Sequence, residues 1–186
     1  MLEIIAAISL LCSVVFFTKR KVIGWPIGLI GVGLYSIIFF QQQLYADFIL
    51  QFIFIVQSLY GWWNWSNHKK DNDKLLVETD IETLSISSML LYFSSILFIW
   101  LTSYFILSNY TDAALPMLDS IIATVSLIAN WLMMKRKIES WYLWIIADIL
   151  LIIMFLYTGL YVSSGLYVLF LINAIYGWWS WKKELK

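Results

Sequence analysis

Asp148 lies about ten residues from either end of the apolar stretch 138–157, and no Lys or Arg lies at comparable depth elsewhere in the chain. A charge at the centre of a bilayer costs roughly 2.5 to 3.5 kcal/mol on insertion scales, so a lone deep carboxylate points to a bound cation or a proton. Trp144 precedes Asp148 by one helical turn, and Trp141 precedes Trp144 by three residues. On a helix this spacing sets both indoles and the acid along one stripe, which suits a flat cationic ring held by stacking and cation–π attraction. Gln57 and Asn173 are deep amides that can both donate and accept, and Gln51 and Tyr167 precede them by six residues. For either amide taken singly, a hydrogen bond between helices is the simpler role. Trp62, on one helix face with Trp65, completes the candidate set of Gln51, Gln57, Trp62, Trp141, Trp144, Asp148, Tyr167 and Asn173.

An intramembrane enzyme would need a second catalytic group near Asp148, and the sequence offers no other deep carboxylate, His or Cys there. His68 sits in a charged segment beside Lys69 and Lys70, where a solvated loop histidine is expected, and Cys12 is the single cysteine. No Walker A or HExxH motif is present, so neither a cofactor nor a metal is expected.

The elements that must position these residues follow from composition. Of the 186 residues, 62% are hydrophobic and 13% charged, and mean hydropathy is +0.82. A soluble domain averages roughly 45 to 50% and 25% respectively, so lipid rather than water is the expected solvent. Seven apolar stretches have the length or near-length of a membrane-crossing helix: 2–17, 22–40, 44–65, 86–107, 118–134, 138–157 and 160–181. All 12 Lys and Arg fall in four segments: Lys19-Arg20-Lys21; Lys69, Lys70 and Lys74; Lys135-Arg136-Lys137; and Lys182, Lys183 and Lys186. Seven crossings put all four on one face, and the positive-inside rule makes that face cytoplasmic, with the N-terminus outside and the C-terminus inside. The net charge of zero implies no nucleic-acid surface.

Sliding the chain on itself by 116 residues superimposes Lys19-Arg20-Lys21 on Lys135-Arg136-Lys137, Trp25 on Trp141, and Leu44-Tyr45 on Leu160-Tyr161. The same register lays Tyr60-Gly61-Trp62-Trp63 on Tyr176-Gly177-Trp178-Trp179 and Trp65 on Trp181. A three-helix unit ends on the face opposite its start, so the extra helix at 86–107 restores the orientation of the second copy. The expected fold is therefore all-α and integral to the membrane, with seven transmembrane helices arranged 3+1+3 as two parallel three-helix repeats, the pseudo-symmetry of SWEET-type carriers. The divisions are a first repeat at 1–65, a cytoplasmic loop at 66–85, a linker helix at 86–107, an outer loop at 108–117, a second repeat at 118–181 and a basic tail at 182–186.

The run Trp25-Pro26, Leu44-Tyr45-Ala46-Asp47, Leu50-Gln51 and Tyr60-Gly61-Trp62-Trp63-Asn64-Trp65 resembles the nicotinamide riboside transporter family, the PnuC-type vitamin carriers. So do Thr111-Asp112, Pro116, Leu118-Asp119-Ser120, Trp141-Tyr142-Leu143-Trp144, Asp148 and Gly159-Leu160-Tyr161, and the resemblance runs over nearly the whole chain. It implies a carrier in a bacterial inner membrane that takes up an unphosphorylated vitamin by facilitated diffusion, followed by trapping through a cytoplasmic vitamin kinase. Relatives carry nicotinamide riboside, thiamine, riboflavin or deoxynucleosides. Some riboside carriers have Asn at the positions of Gly31 or Asp148. The deep amides match ribose hydroxyls, which ranks nicotinamide riboside first and the thiamine-carrying branch second. The lipid bilayer is the other partner, and a homo-oligomer is compatible with this layout.

Overall fold

A run that is apolar on all sides and free of internal proline forms a helix readily once lipid or other helices surround it. In the computed structural model, the described residues are 2–41, 45–67, 80–111, 115–157, 159 and 161–185. The segment with His68, Lys69, Lys70, Asn72 and Lys74, the turn at Gln42 and Gln43, and Lys186 lie outside them. Among the described residues there are seven helices: α1 (Leu2–Thr18), α2 (Gly24–Gln41), α3 (Tyr45–Asn67), α4 (Ile86–Tyr110), α5 (Pro116–Met134), α6 (Glu139–Tyr157) and α7 (Tyr161–Glu184). Of these, α4, α5 and α6 are long and apolar enough to cross a membrane, and α1 and α2 contain the shorter apolar helices Ile4–Thr18 and Gly24–Ile38.

The helix limits differ from the sequence expectation by three residues or fewer, for local reasons. Pro116 opens α5 two residues early because its fixed φ and missing N–H suit the first helical position. At the other end of the chain, α7 runs past Trp181 into Lys182 and Lys183, whose positive charge favours a helix C-terminus. α4 continues to Tyr110, with the Asn109 side chain bonding back to the Phe105 carbonyl at 2.8 Å.

The two basic turns share one backbone device. After α1, the Lys21 N–H bonds to the Phe16 carbonyl and the Arg20 N–H to the Phe17 carbonyl; after α5, Lys137 bonds to Leu132 and Arg136 to Met133 in the same pattern. This is the Schellman closure of a helix, whose turning residue must take the left-handed conformation. Arg20 and Arg136 take it, with φ of 55° and 57°, where glycine is usual. A positive φ at a residue with a Cβ costs about 1 to 2 kcal/mol, so the surrounding contacts must hold both turns in place.

For the second turn those contacts include residues 80–85, just before α4. Glu82 forms a parallel bridge with Lys137, accepting from the Ile138 N–H and donating to the Arg136 carbonyl, each at 3.0 Å. Its carboxylate meets Arg136 Nη2 at 2.6 Å and Lys137 Nζ at 2.8 Å. Burial alone would raise the Glu82 pKa, but hydrogen bonds and charge from Lys137 and Arg136 outweigh it and hold the carboxyl below its ordinary range.

Packing follows a ring. α1 packs on α2 and α7, α3 on α2 and α5, and α6 on α5 and α7. The 116-residue shift maps α1 and α2 onto α5 and α6, α2 and α3 onto α6 and α7, and α7 with α1 onto α3 with α5. α4 packs outside the ring against α5, and α1 has no equivalent cover among the described residues. Equivalent positions therefore differ in exposure: Ile4 and Ile8 on α1 are 64% and 56% exposed, whereas Ser120 and Thr124 on α5 are 0% and 1%.

Candidate functional site

Four indoles, Trp25, Trp65, Trp141 and Trp181, form the centre of a buried hydrophobic cluster, beside Phe17 and Met133. Trp25 meets Trp65 edge-on with ring centroids 5.5 Å apart, Trp141 meets Trp181 edge-on at 5.5 Å, and Trp65 and Trp181 meet at 6.1 Å with their planes tilted by 46°. Glycine makes this possible. A Cβ at Gly61 would lie 2.5 Å from Trp25 Cη2, and one at Gly177 would lie 2.7 Å from Trp141 Cη2.

The hydrogen bonds between the halves are reciprocal. Trp65 Nε1 on α3 donates to the carbonyls of Met133 and Met134 at the end of α5, at 3.0 and 3.1 Å. Its counterpart Trp181 Nε1 on α7 donates to the carbonyls of Phe17 and Thr18 at the end of α1, both at 3.2 Å. Asn64 Nδ2 adds a second donor to the Met134 carbonyl at 2.7 Å. These bonds, with the Arg20–Glu184 ion pair at 3.5 Å, bring the C-terminal ends of α1, α3, α5 and α7 together.

The amides come next. Gln57 Nε2 donates to the Leu127 carbonyl at 3.2 Å, and its Oε1 accepts from Asn130 Nδ2 at 2.9 Å. Asn173 Nδ2 donates to the Val14 carbonyl at 3.2 Å, and its Oδ1 accepts from the Thr18 hydroxyl at 3.2 Å. Each amide thus joins α3 to α5 or α7 to α1, and each keeps a second N–H and further lone pairs for another partner. Gln51 is half-buried on α3.

Asp148 on α6 is 4% exposed, with no hydrogen-bond or ion-pair partner among the described residues. Tyr167 on α7 lies within electrostatic reach of both Asp148 and Tyr35 of α2. Phe155 and Phe170 flank the Tyr167 ring at centroid distances of 5.3 and 5.4 Å. Trp144 and Trp62 are half-buried against the indole cluster, whereas Trp141 belongs to its core at 2% exposure. Trp141 is thus a packed wall, and Trp144 remains the more open indole of the α6 stripe. The buried Nε1 atoms of Trp25 and Trp141 have no partner among the described residues.

The structure sets Asp148 within electrostatic reach of Tyr167, and it draws Gln57 and Asn173 into bonds across the equivalent helix pairs α3–α5 and α7–α1, though to partners at different repeat positions. Sequence reasoning missed Asn130, Asn64, Thr18 and Tyr35. Asn130 lies only one turn from the end of its apolar stretch at Met134, so the depth test that found Gln57 passes it over. Tyr35 carries no mark either, because tyrosine is common among lipid-facing residues.

A bundle of apolar helices around one buried acid, with the one other buried charge, Arg136, held at the basic turn by Glu82, is the frame of a membrane transporter and holds no paired catalytic groups among the described residues. The chain belongs to the nicotinamide mononucleotide transporter family, whose model matches residues 1–183. It is 28% identical to the nicotinamide riboside transporter PnuC of Escherichia coli (strain K12), over 97% of this chain and 84% of that one. It is also 28% identical to the PnuC of Neisseria mucosa, over 98% of this chain and 72% of that one. A crystal structure of the vitamin B3 transporter PnuC superimposes with a TM-score of 0.82 at 27% identity, covering 99% of this chain and 81% of its own.

Proposed function

We propose that this chain carries nicotinamide riboside into the cell by facilitated diffusion, and that phosphorylation by a cytoplasmic kinase then traps the vitamin. The observation that carries the reading is Asp148: a buried acid without a partner among the described residues, one turn from Trp144 and within electrostatic reach of Tyr167. A pyridinium supplies the missing positive charge and a flat face for the indole. The free valences of Gln57 and Asn173, with Gln51 nearby on α3, suit ribose hydroxyls. In this reading the helices cross the membrane seven times in a 3+1+3 layout, with repeats at 1–65 and 118–181, the linker at 86–107 and the basic segments in the cytoplasm. The concentration of Lys and Arg in four segments supports that orientation.

The acid also selects between the names its relatives carry. A mononucleotide adds a phosphate of about −1.5 to −2 charge at pH 7. The buried cation Arg136 is already held by Glu82, so the phosphate would enter a path whose deep charge is Asp148. Thiamine is the second reading, because its thiazolium satisfies Asp148 equally while its hydroxyethyl arm leaves more of the amides unpaired. Calorimetric titration of the purified protein with nicotinamide riboside, nicotinamide mononucleotide, thiamine and riboflavin tests this. The riboside should bind at least tenfold more tightly than the mononucleotide and more tightly than thiamine. Equal binding of riboside and mononucleotide would remove the argument from Asp148, and tighter thiamine binding would move the chain to the second reading.

A further inference from the structure

Thr18 and Met134 end α1 and α5, and each places its carbonyl beyond the reach of its own helix. Each is satisfied from the other half of the molecule, by Trp181 Nε1 and Trp65 Nε1 respectively. The same position of the repeat thus closes the opposite repeat twice, across a pair of indoles 6.1 Å apart. The amide bonds of Gln57 and Asn173 lie one to two turns further in and join the same helix pairs. The cross-links between the halves described above therefore gather toward one end of the bundle, the end with the basic turns. A carbonyl at a helix terminus is also one that water can take over when the indole withdraws, so the bond is releasable at modest cost.

We propose that Trp65 and Trp181 are positioning residues of the transport cycle: their indole N–H groups bolt the basic end of the bundle shut in this conformation, and their release opens the path on that side. The proposal rests on the transporter reading and deepens it. Neither indole needs to touch the substrate. They act through the ends of α1 and α5, which move only when the bonds are exchanged for water.

The test uses detergent-solubilised full-length protein with Cys12→Ser and Ala174→Cys. Ala174 is 2% exposed in the indole cluster and should react slowly with a water-soluble maleimide while the end is closed. Trp65→Phe and Trp181→Phe keep a ring and remove the donor, and each should speed labelling about fivefold, the effect of losing one net hydrogen bond. The double variant should exceed either single one, while affinity for nicotinamide riboside stays within about twofold of the parent. Benzothienylalanine at both positions preserves the indole shape without the N–H, and it serves where phenylalanine prevents folding. Unchanged labelling in the double variant or the isostere overturns the bolt, even if the melting temperature falls. A loss of affinity equal to the gain in labelling also overturns it, by making the indoles binding residues. Faster labelling in a protein that binds none of the vitamins would keep the bolt and remove the transporter reading.

Discussion

Replacing Gly61 by alanine puts one methyl group where the structure has least room. The new Cβ would lie 2.5, 2.6 and 2.7 Å from three atoms of the Trp25 ring, about an ångström inside ordinary contact. The ring cannot swing away, because Trp25 is fully buried between Phe17 at 4.6 Å and Trp65 at 5.5 Å. Overpacking a close-packed site costs about 1 to 3 kcal/mol, while alanine in a helix interior returns about 0.5 to 1 kcal/mol over glycine. With the ring held on both sides the cost falls toward the upper end of its range, so the net loss is up to about 2.5 kcal/mol, or about 5 to 10 °C in melting temperature for a chain of this length. Gly177→Ala should behave alike, since its Cβ would meet the Trp141 ring at 2.7 to 2.8 Å. Gly165→Ala is the control: nothing lies within 4 Å of its Cβ, so it should match or exceed the parent. Melting of the three variants in one detergent, followed by tryptophan fluorescence, decides the matter. A Gly61→Ala protein as stable as Gly165→Ala would refute the tight indole packing and the equivalence of the two halves.

Glu82→Gln should destabilise the protein by about 1 kcal/mol, near the top of the surface-pair range because Arg136 is buried and Glu82 half-exposed. Because the folded state depresses the Glu82 pKa, this contribution is fully present above the unfolded-state pKa and fades as pH falls through the folded one; melting curves of parent and variant should converge in acid and separate toward neutrality. Asp148→Asn should weaken riboside binding by more than Gln57→Ala or Asn173→Ala, since it removes a charge facing a cation rather than one neutral hydrogen bond of about 0.5 to 1.5 kcal/mol; titration of the three variants checks the order, and unchanged affinity in Asp148→Asn makes the acid structural. In whole cells of a Cys12→Ser background, a cysteine at Asn109 should react with an impermeant thiol reagent and one at Asn72 should not; the reverse pattern inverts the proposed orientation.

Duplication was legible in the sequence because it repeats residues that lipid contact does not select: the Lys-Arg-Lys turn, the Tyr-Gly-Trp-Trp run and the isolated Trp25 and Trp141. The structure gives that register a mechanism, since Arg20 and Arg136 share a left-handed φ and Trp65 and Trp181 cap each other's half. Which wall each side chain meets was not legible. The three-residue spacing of Trp141 and Trp144 is the same whether the stripe faces a ligand or a core, and what buries Trp141 is a slot at Gly177, 36 residues away in sequence. Gln57 and Asn173 show a similar limit, because an amide that joins helices and an amide that awaits a ligand look alike in one dimension.

The departures from the repeat carry the remaining information. Val32 occupies on α2 the position that Asp148 occupies on α6, and the two are buried to nearly the same degree, at 8% and 4% exposure. The same helical frame thus closes over an aliphatic side chain in one half and, in the other, over an acid with no partner among the described residues. Packing does not require the carboxylate, and its burial opposes its charge. What is duplicated in this chain builds the frame and its bonds at the basic end, while Asp148 and Tyr35, both within electrostatic reach of Tyr167, have Val32 and Leu151 as counterparts and Tyr167 has Gln51, so the acidic centre is not duplicated. A substrate with one positive ring and one polar tail fits a centre that is not duplicated.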